Sequence, residues 1–403
     1  MRDSTFLRRV VLQNYKSIAG CDVQLGPLTF LVGPNGAGKS NFLDALRFVA
    51  DALRTSLNHA LRDRGGINDV RRQGSDHPTH FGMRLHFILR NGESGHYAFR
   101  IGSLRGGGHE VQQEECFFGE PGGRHFRVQD GELASSSMRT APAAASDRLY
   151  LVNVSGLPEF RPVCDAFSSM GFYSLNPDRI RDLQTPDSGR LLARDGGNLA
   201  SVLAQLEALN PATKQRIEEY LGKIVPGIRR IEHRMFGPKE TLEFGQDVAG
   251  SAFPWQFLAA NMSDGTLRAL GILVALYQSG YGNGAGPGVP LVGIEEPELA
   301  LHPAAVGVLI DSLRDASRIT QVLVTSHSPD LLDNPQLDGD AILAVVADAG
   351  TTTIGSLDET GRSALHDRLY TAGELLRLNQ LAPDPAAKKL SSRQLRLFDK
   401  GDA

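Results

Sequence analysis

The chain has 403 residues, enough for two or three domains, or for one large domain with insertions, and for a sizeable buried core. Its 42 Lys and Arg against 46 Asp and Glu leave a net charge of −4, which excludes a global attraction to nucleic acid or anionic membranes. Cys21, Cys116 and Cys164 are too widely spaced for a disulfide scaffold, the N-terminus lacks a signal-peptide core, and no apolar run approaches the roughly 20 residues that span a bilayer; the expectation is a cytoplasmic protein with no membrane contact.

In chain order, residues 5–13 and 21–32 read as strands, and 40–57 as a helix carrying Phe42, Leu43, Leu46, Val49, Ala50 and Leu53 at helical spacing. Residues 81–130 alternate in short segments broken by glycines and predict an antiparallel meander; 131–147 reads as a loop. From 155 to 209 the pattern is helical with a polar break at 185–197, followed by a helix over 211–224 and strands near 228–234, 240–244 and 252–257. An apolar helix over 267–277, a Gly-rich loop over 280–288, a buried strand over 289–294, a helix over 303–317 and a strand over 321–324 predict an α/β core. Beyond Pro383 the tail is polar and basic, and reads as frayed.

Between the strand ending at Val32 and the helix from Ser40 lies Gly33-Pro34-Asn35-Gly36-Ala37-Gly38-Lys39-Ser40, continuing into Asn41. A phosphate needs many donors at close range without side-chain bulk. Three glycines let backbone N–H groups converge, the helix N-terminus adds positive charge, Lys39 adds a cation, and Ser40 fits a Mg²⁺ ligand. The apolar strand over 289–294 runs into Glu295, Glu296, Pro297 and Glu298. Here Glu295 is the candidate for the metal-side carboxylate and Glu296 for the base that positions water. His327, after the next buried strand, is a candidate γ-phosphate and water contact. Ser263, Asp264 and Gly265 stand before the 267–277 helix, where they can cap it, and Ser263 and the Gly265 backbone can also donate to a phosphate. His302 is either functional or a shaper of the turn before Pro303, and Gln73 is either a polar loop residue or, on the resemblance that follows, a metal-side glutamine.

Taken together, these residues resemble the ABC-type ATPases of the SMC/RecF/OLD group. The segments 14–18 (Asn-Tyr-Lys-Ser-Ile) and 296–303 (Glu-Pro-Glu-Leu-Ala-Leu-His-Pro) share that resemblance. It implies a P-loop NTPase fold of ABC/SMC-head type with two lobes: a β-rich nucleotide-binding lobe over 1–150, and a helical lobe with the signature loop over 151–280. The Walker B and switch half of the core sheet would occupy 281–380, ahead of a tail over 381–403. It further implies ATP and Mg²⁺ as cofactors, hydrolysis of ATP, and a head-to-tail homodimer in which residues 33–41 of one subunit and Ser263, Asp264 and Gly265 of the other hold one ATP. Departures are the Ser-Asp-Gly signature in place of Ser-Gly-Gly and Glu295 in place of Asp. Neither a coiled-coil arm nor a nuclease-like domain is legible. Two roles stay open: a DNA-binding ATPase of genome maintenance, with backbone contacts from Arg8-Arg9, Arg71-Arg72, Arg229-Arg230, His233-Arg234 and Lys388-Lys389, or a sensor that gates a separately encoded nuclease or toxin in anti-phage defence.

Overall fold

Alternation of apolar and polar residues builds the first part of the chain into antiparallel strands, as the pattern requires: β1 (Leu7–Tyr15), β2 (Ile18–Gln24), β3 (Leu28–Val32), β4 (His80–Ile88), β5 (Ser94–Ser103), β6 (His109–Phe118), β7 (Arg124–Gln129) and β8 (Glu132–Ser136). The computed structural model describes residues 4–74, 78–120, 122–279, 288–334, 337–391 and 395–398. Two compact units result. One comprises Thr5–Met170 with Asp338–Ala403, the other Gly171–Leu337 with Met1–Ser4.

In the first unit the strand order is β8-β7-β6-β5-β4-β1-β2, completed by β16 (Thr351–Ser356), β15 (Ile342–Asp348) and β3. The meander over β4–β7 is as expected, and β8 extends it into the stretch read as a loop, where Leu133 pairs with Val128. β15 runs parallel to β3, with Leu343 opposite Leu31, and antiparallel to β16. Neither β15 nor β16 was assigned from sequence, although both make the wall behind the phosphate loop. The expected helix forms over Lys39–Arg54 and buries Phe42, Leu43, Leu46, Phe48, Val49 and Leu53.

The boundary expected at residue 150 lies at 170, because two short helices, Tyr150–Val154 and Arg161–Ser168, belong to the meander. Phe160 meets Phe126 and Phe118 at 5.4 and 5.7 Å, and Phe167 meets Phe6, Phe87 and Tyr97 at 5.2–5.6 Å between ring centres. Such tilted and edge-on contacts suit the ring quadrupoles. The first of these helices starts on a buried carboxylate: Glu114 accepts the N–H groups of Tyr150 and Leu151 and the hydroxyl of Tyr97.

Among the described residues the tail, read as frayed, is packed. A helix forms over Pro385–Ser391, Leu390 and Leu395 approach Gly20, and Leu397 is buried against Gly82. Arg84 donates to the Leu397 carbonyl at 2.8 Å, and the Arg100 guanidinium lies 5.3 Å from the Phe398 ring centre. The apolar Leu395, Leu397 and Phe398 override the polar composition around them, and two glycines leave the room they need.

The second unit carries β9 (Gly171–Tyr173), β10 (Ile228–Phe236), β11 (Lys239–Gln246), β12 (Trp255–Leu258), β13 (Leu291–Glu295) and β14 (Gln321–Ser326). β13 is central and pairs in parallel with β14 and β9; β10, β11 and β12 form a separate antiparallel sheet. Helices span Leu199–Leu209, Pro211–Ile224 and Val306–Ala316, and the signature helix Asp264–Tyr277 is apolar nearly all round, as a core helix must be. The segments expected at 151–280 and 281–380 are divided differently: Gly171–Leu337 falls in one unit, since this helix buries its length in the same core as β13 and β14, and the chain from Asp338 on belongs to the first unit. Residues 280–287 of the Gly-rich loop lie outside the described residues. Among those described, no helix is long and apolar enough to cross a membrane.

Burial pushes the Glu114 carboxyl from 4.5 up to about 7, against the pull of the Leu151 and Tyr150 N–H groups and the Tyr97 hydroxyl. A carboxyl whose pKa rises on folding stabilises the fold fully below its unfolded value and loses that contribution as pH climbs through the folded one. The thermal unfolding midpoint should therefore fall between pH 5 and 8 by a component that Glu114→Gln lacks; parallel pH profiles for the two proteins would contradict this.

Candidate functional site

The phosphate loop is defined by what cannot fit behind it. A Cβ on Gly33 would lie 2.0 Å from the Val345 carbonyl oxygen on β15, and one on Gly38 would lie 2.1 Å from Thr352 Oγ1 on β16. Gly36 and Gly38 have φ of 76° and 103°, a region only glycine enters at no cost. On the outer side a Cβ at Gly36 would meet nothing within 4 Å, and Asn35, Gly36 and Ser40 are exposed. Lys39 is buried, with Nζ donating to the Gly33 and Pro34 carbonyls at 2.8 and 3.0 Å. No acidic residue lies in the first turn of the 16-residue helix behind it. This open backbone cradle, with a cation and a helix N-terminus, fits a polyphosphate, and the exposed Ser40 hydroxyl fits a Mg²⁺ ligand.

The segment around Tyr15 braces that helix. Asn14 and Lys16 both adopt left-handed backbone, with φ of 55° and 47°. Their turn delivers Lys16 to Asp44 at 2.6 Å and the Tyr15 hydroxyl to the same carboxylate at 2.8 Å. Arg47 and Arg64 close on Asp44 at 2.6 and 3.0 Å, and Arg64 also reaches Asp51. Burial alone would raise the Asp44 carboxyl; Arg64, Arg47 and Lys16 outweigh it and hold the group below the usual carboxylate value. Gln73 is exposed and its amide donates to the Asn68 carbonyl at 3.3 Å. This geometry turns the candidate glutamine onto its own loop.

In the second unit, the parallel register places Glu295 opposite Thr325, which brings the ends of β13 and β14 together. Glu296 sits at φ 45°, unusual for a residue with a side chain, and is held there by its N–H donating to the Thr325 carbonyl at 2.9 Å. Its Oε1 meets His327 Nδ1 at 2.8 Å. With Glu296 ionised, that contact requires the hydrogen on Nδ1, so the carboxylate fixes the tautomer and the ring's orientation. Glu295 is approached instead by Arg194, at 3.3 Å. Ser326 donates to Glu298 Oε1 at 2.5 Å, while Oε2 is buried without a partner; burial raises this carboxyl, and the Ser326 bond pulls the other way.

Ser263 caps the signature helix by accepting the Thr266 N–H at 3.2 Å, and Ser263 and Asp264 are exposed. Arg181 bonds both the Asp264 carboxylate and the Met262 carbonyl. Gly265 has no room for a Cβ, which would fall 2.5 Å from the Ala300 carbonyl oxygen. Arg268, one turn on, has a buried Nε without a partner; burial lowers its pKa, and Asp264 and Glu296 pull it back up. His302 is exposed and accepts the Ala304 N–H at 3.2 Å, the turn-shaping alternative. Arg181, Arg194, Arg268 and Thr352 escaped the sequence reading; an isolated arginine or threonine carries no spacing signal. Among the described residues no three His, Cys, Asp or Glu side chains converge as a metal cage. The donor set suits a Mg²⁺ held through one or two protein oxygens, phosphate and water.

Several members of the basic clusters are ion-paired, whereas Arg71 donates to Asn68 Oδ1 and the Pro78 carbonyl and Arg72 to Thr351 Oγ1, all neutral oxygens. Arg9 pairs with Asp22, Arg229 with Asp247, Arg230 with Glu232, Arg234 with Glu232 and Glu243, His233 with Glu240, and Lys388 with Asp348.

Comparison with known proteins follows the same lines. A family described as "AAA domain, putative AbiEii toxin, Type IV TA system" matches residues 28–104 and 168–333, more than half of the chain. The OLD nuclease of Thermus scotoductus is 24% identical over 351 residues, 81% of this chain and 60% of that protein. Structural maintenance of chromosomes protein 1 of Schizosaccharomyces pombe is 33% identical over 126 residues, 28% of this chain and 10% of its own length. The RecF protein of Gloeobacter violaceus is 45% identical over 60 residues, 15% of each chain. The chain thus spans less than two thirds of each of these relatives. Among solved structures, an Smc head bound to the C-terminal winged-helix domain of ScpA superposes with a TM-score of 0.57 at 16% identity, covering 88% of this chain and 99% of that one. The Pyrococcus furiosus Smc head with an extended coiled coil gives 0.53 at 14%, covering 90% and 99%. The fold is that of an ABC/SMC-type head.

The Asp44 cluster yields a stability test. Asp44→Ala leaves the nearly inaccessible Arg64 guanidinium without its main counter-charge, and should destabilise the protein by about 3 kcal/mol. Chemical denaturation checks this, and a loss below about 1 kcal/mol would mean that Asp51 suffices.

Proposed function

The chain belongs to this AAA-domain ATPase family, and from that premise we propose that it is a Mg²⁺-dependent ATPase whose ATP-bound form is a head-to-tail dimer. The observation that carries the reading is the Glu296–His327 pair. A carboxylate oriented by an imidazole, on adjacent parallel strand ends, is what activation of water demands. In this reading residues 33–41 cradle the phosphates and Lys39 leaves its loop carbonyls for them. Glu296 accepts a proton from water as the water oxygen bonds the γ-phosphorus and the bond to the ADP oxygen breaks. His327 holds Glu296 in place. Ser40 would hold the Mg²⁺, with Glu295 acting through water, and the ion would neutralise charge on the phosphate oxygens. Glu295 would have to part from Arg194 to do so. Gln73, turned onto Asn68, would reach the metal only after its loop rearranges. Exposed Ser263 and Asp264, with the Gly265 backbone at a helix N-terminus, would meet the γ-phosphate held by a second copy.

For the biological role, the RecF and SMC relatives support a DNA-directed ATPase in genome maintenance. The ion pairs at Arg9, Arg229, Arg230, Arg234 and Lys388 favour the second reading, a sensor that gates a separate effector protein, since a paired cation contributes less to phosphate binding. ATPase assays with and without duplex DNA across a salt series separate the two. Salt-sensitive stimulation supports the first, and a rate indifferent to DNA supports the second.

Glu296→Gln keeps the side chain's shape and removes the base, so the clamp should form and persist. Light scattering should show this variant dimeric with Mg²⁺ and ATP and monomeric without. A mass that does not change with ATP would contradict nucleotide-driven association.

A further inference from the structure

Behind the phosphate loop runs a chain of four polar groups whose direction can be assigned without seeing a hydrogen. Asn41 Nδ2 can only donate, and it lies 2.7 Å from Ser17 Oγ. Ser17 Oγ lies 2.7 Å from Thr352 Oγ1, which in turn lies 2.8 Å from the Ala37 carbonyl oxygen. A carbonyl can only accept, so Thr352 spends its one hydrogen on Ala37, and Ser17 must donate its own to Thr352. Every group in the relay Asn41→Ser17→Thr352→Ala37 is thereby used once in one direction. Thr352 itself is fully buried and is fixed by its backbone N–H donating to the Ser17 carbonyl at 2.9 Å.

The end of the relay matters because of peptide geometry. Across a trans peptide the C=O of one residue and the N–H of the next point in opposite directions, and the described chain has no cis peptide bond. Thr352 holds the Ala37 oxygen on the inner side, where its own hydroxyl occupies the place a Gly38 Cβ would take. The Gly38 N–H is therefore turned to the opposite side, toward the exposed mouth of the loop. Gly38 at φ 103° has its carbonyl held by the Asn41 and Phe42 N–H groups but no side chain to hold the peptide before it, so without that anchor the Ala37–Gly38 peptide can rotate and withdraw the donor.

We propose that Thr352 is a positioning residue for the phosphate loop, fixing the Ala37–Gly38 peptide so that the Gly38 N–H meets a bound polyphosphate, with Ser17 orienting the Thr352 hydroxyl. The inference rests on residues 33–41 being the ATP-binding loop. It assigns a nucleotide-binding contribution to a strand that follows all the recognised motifs in sequence.

The test is titration of a fluorescent ATP analogue into wild type, Thr352→Val, Thr352→Ser, Ser17→Ala and Lys39→Ala, with thermal unfolding measured on each. Loss of one hydrogen bond to the loop should weaken binding by Thr352→Val about tenfold. Thr352→Ser, which keeps the hydroxyl, should stay within about twofold, and Ser17→Ala, which leaves Thr352 in its place, should lie between. The unfolding midpoints of Ser17→Ala and Thr352→Ser should match wild type, so that the affinity order cannot be a stability order. If Lys39→Ala abolishes binding while Thr352→Val and Ser17→Ala bind like wild type, the relay inference is overturned and the loop assignment stands. If Lys39→Ala also binds like wild type, the loop assignment itself fails. Should Thr352→Val not fold, Ser17→Ala against wild type decides alone: unchanged affinity overturns the proposal.

Discussion

At Gly33 and Gly38 no side chain fits on the inner face of the phosphate loop, and much of the first unit follows from that. β15 and β16 press their backbone and the Thr352 hydroxyl against Gly33 and Gly38 at distances a Cβ would violate. The loop is therefore a thin layer of backbone, closed behind and open in front. Such closeness is sustained only if the helix after the loop cannot drift. The convergence of Lys16, Arg47, Arg64 and Tyr15 on Asp44 pins that helix to the β1–β2 turn. A buried carboxylate with three cations and a hydroxyl is costly to assemble, yet it admits one arrangement, and one arrangement is what a binding loop needs.

The second unit solves a different problem, that of aiming a base. Parallel strands β13 and β14 end in register, so the residues just beyond them are neighbours without any help from a loop. Glu296 takes a left-handed backbone there, and the Thr325 carbonyl and His327 ring hold it. The local strain sits on the residue that chemistry would use, as strain commonly does. Glu298, half of whose carboxylate is buried without a partner, shows that the same strand end tolerates unsatisfied polarity.

How much of this was legible in the sequence depends on how local each feature is. The strand, loop and helix over 28–54 are contiguous, and glycine spacing announces them. The pairing of Glu296 with His327 was half legible: two apolar runs each ending in a polar residue suggest parallel neighbours, although no pattern states the register. β15 and β16 were missed because their partners, β3 and β2, lie some 300 residues earlier, and Ile342–Asp348 alone could as well be helix. β9 has three residues, too few to show a period. The tail was misjudged on composition. Lys388, Lys389 and Arg396 make it look polar, while Leu395, Leu397 and Phe398 decide where it goes. The ion pairs of the basic clusters were not legible either, because partners such as Asp22, Asp247 and Glu243 sit on neighbouring strands or loops and a linear reading cannot pair them.

Phosphate release from Mg²⁺ and ATP, measured over a range of protein concentrations, tests the central claim most directly. The account predicts turnover that requires Mg²⁺ and whose rate per chain rises with protein concentration as dimers form. Bound nucleotide with no phosphate release at any concentration would contradict an ATPase, and a rate per chain independent of concentration would contradict a site completed by a second copy.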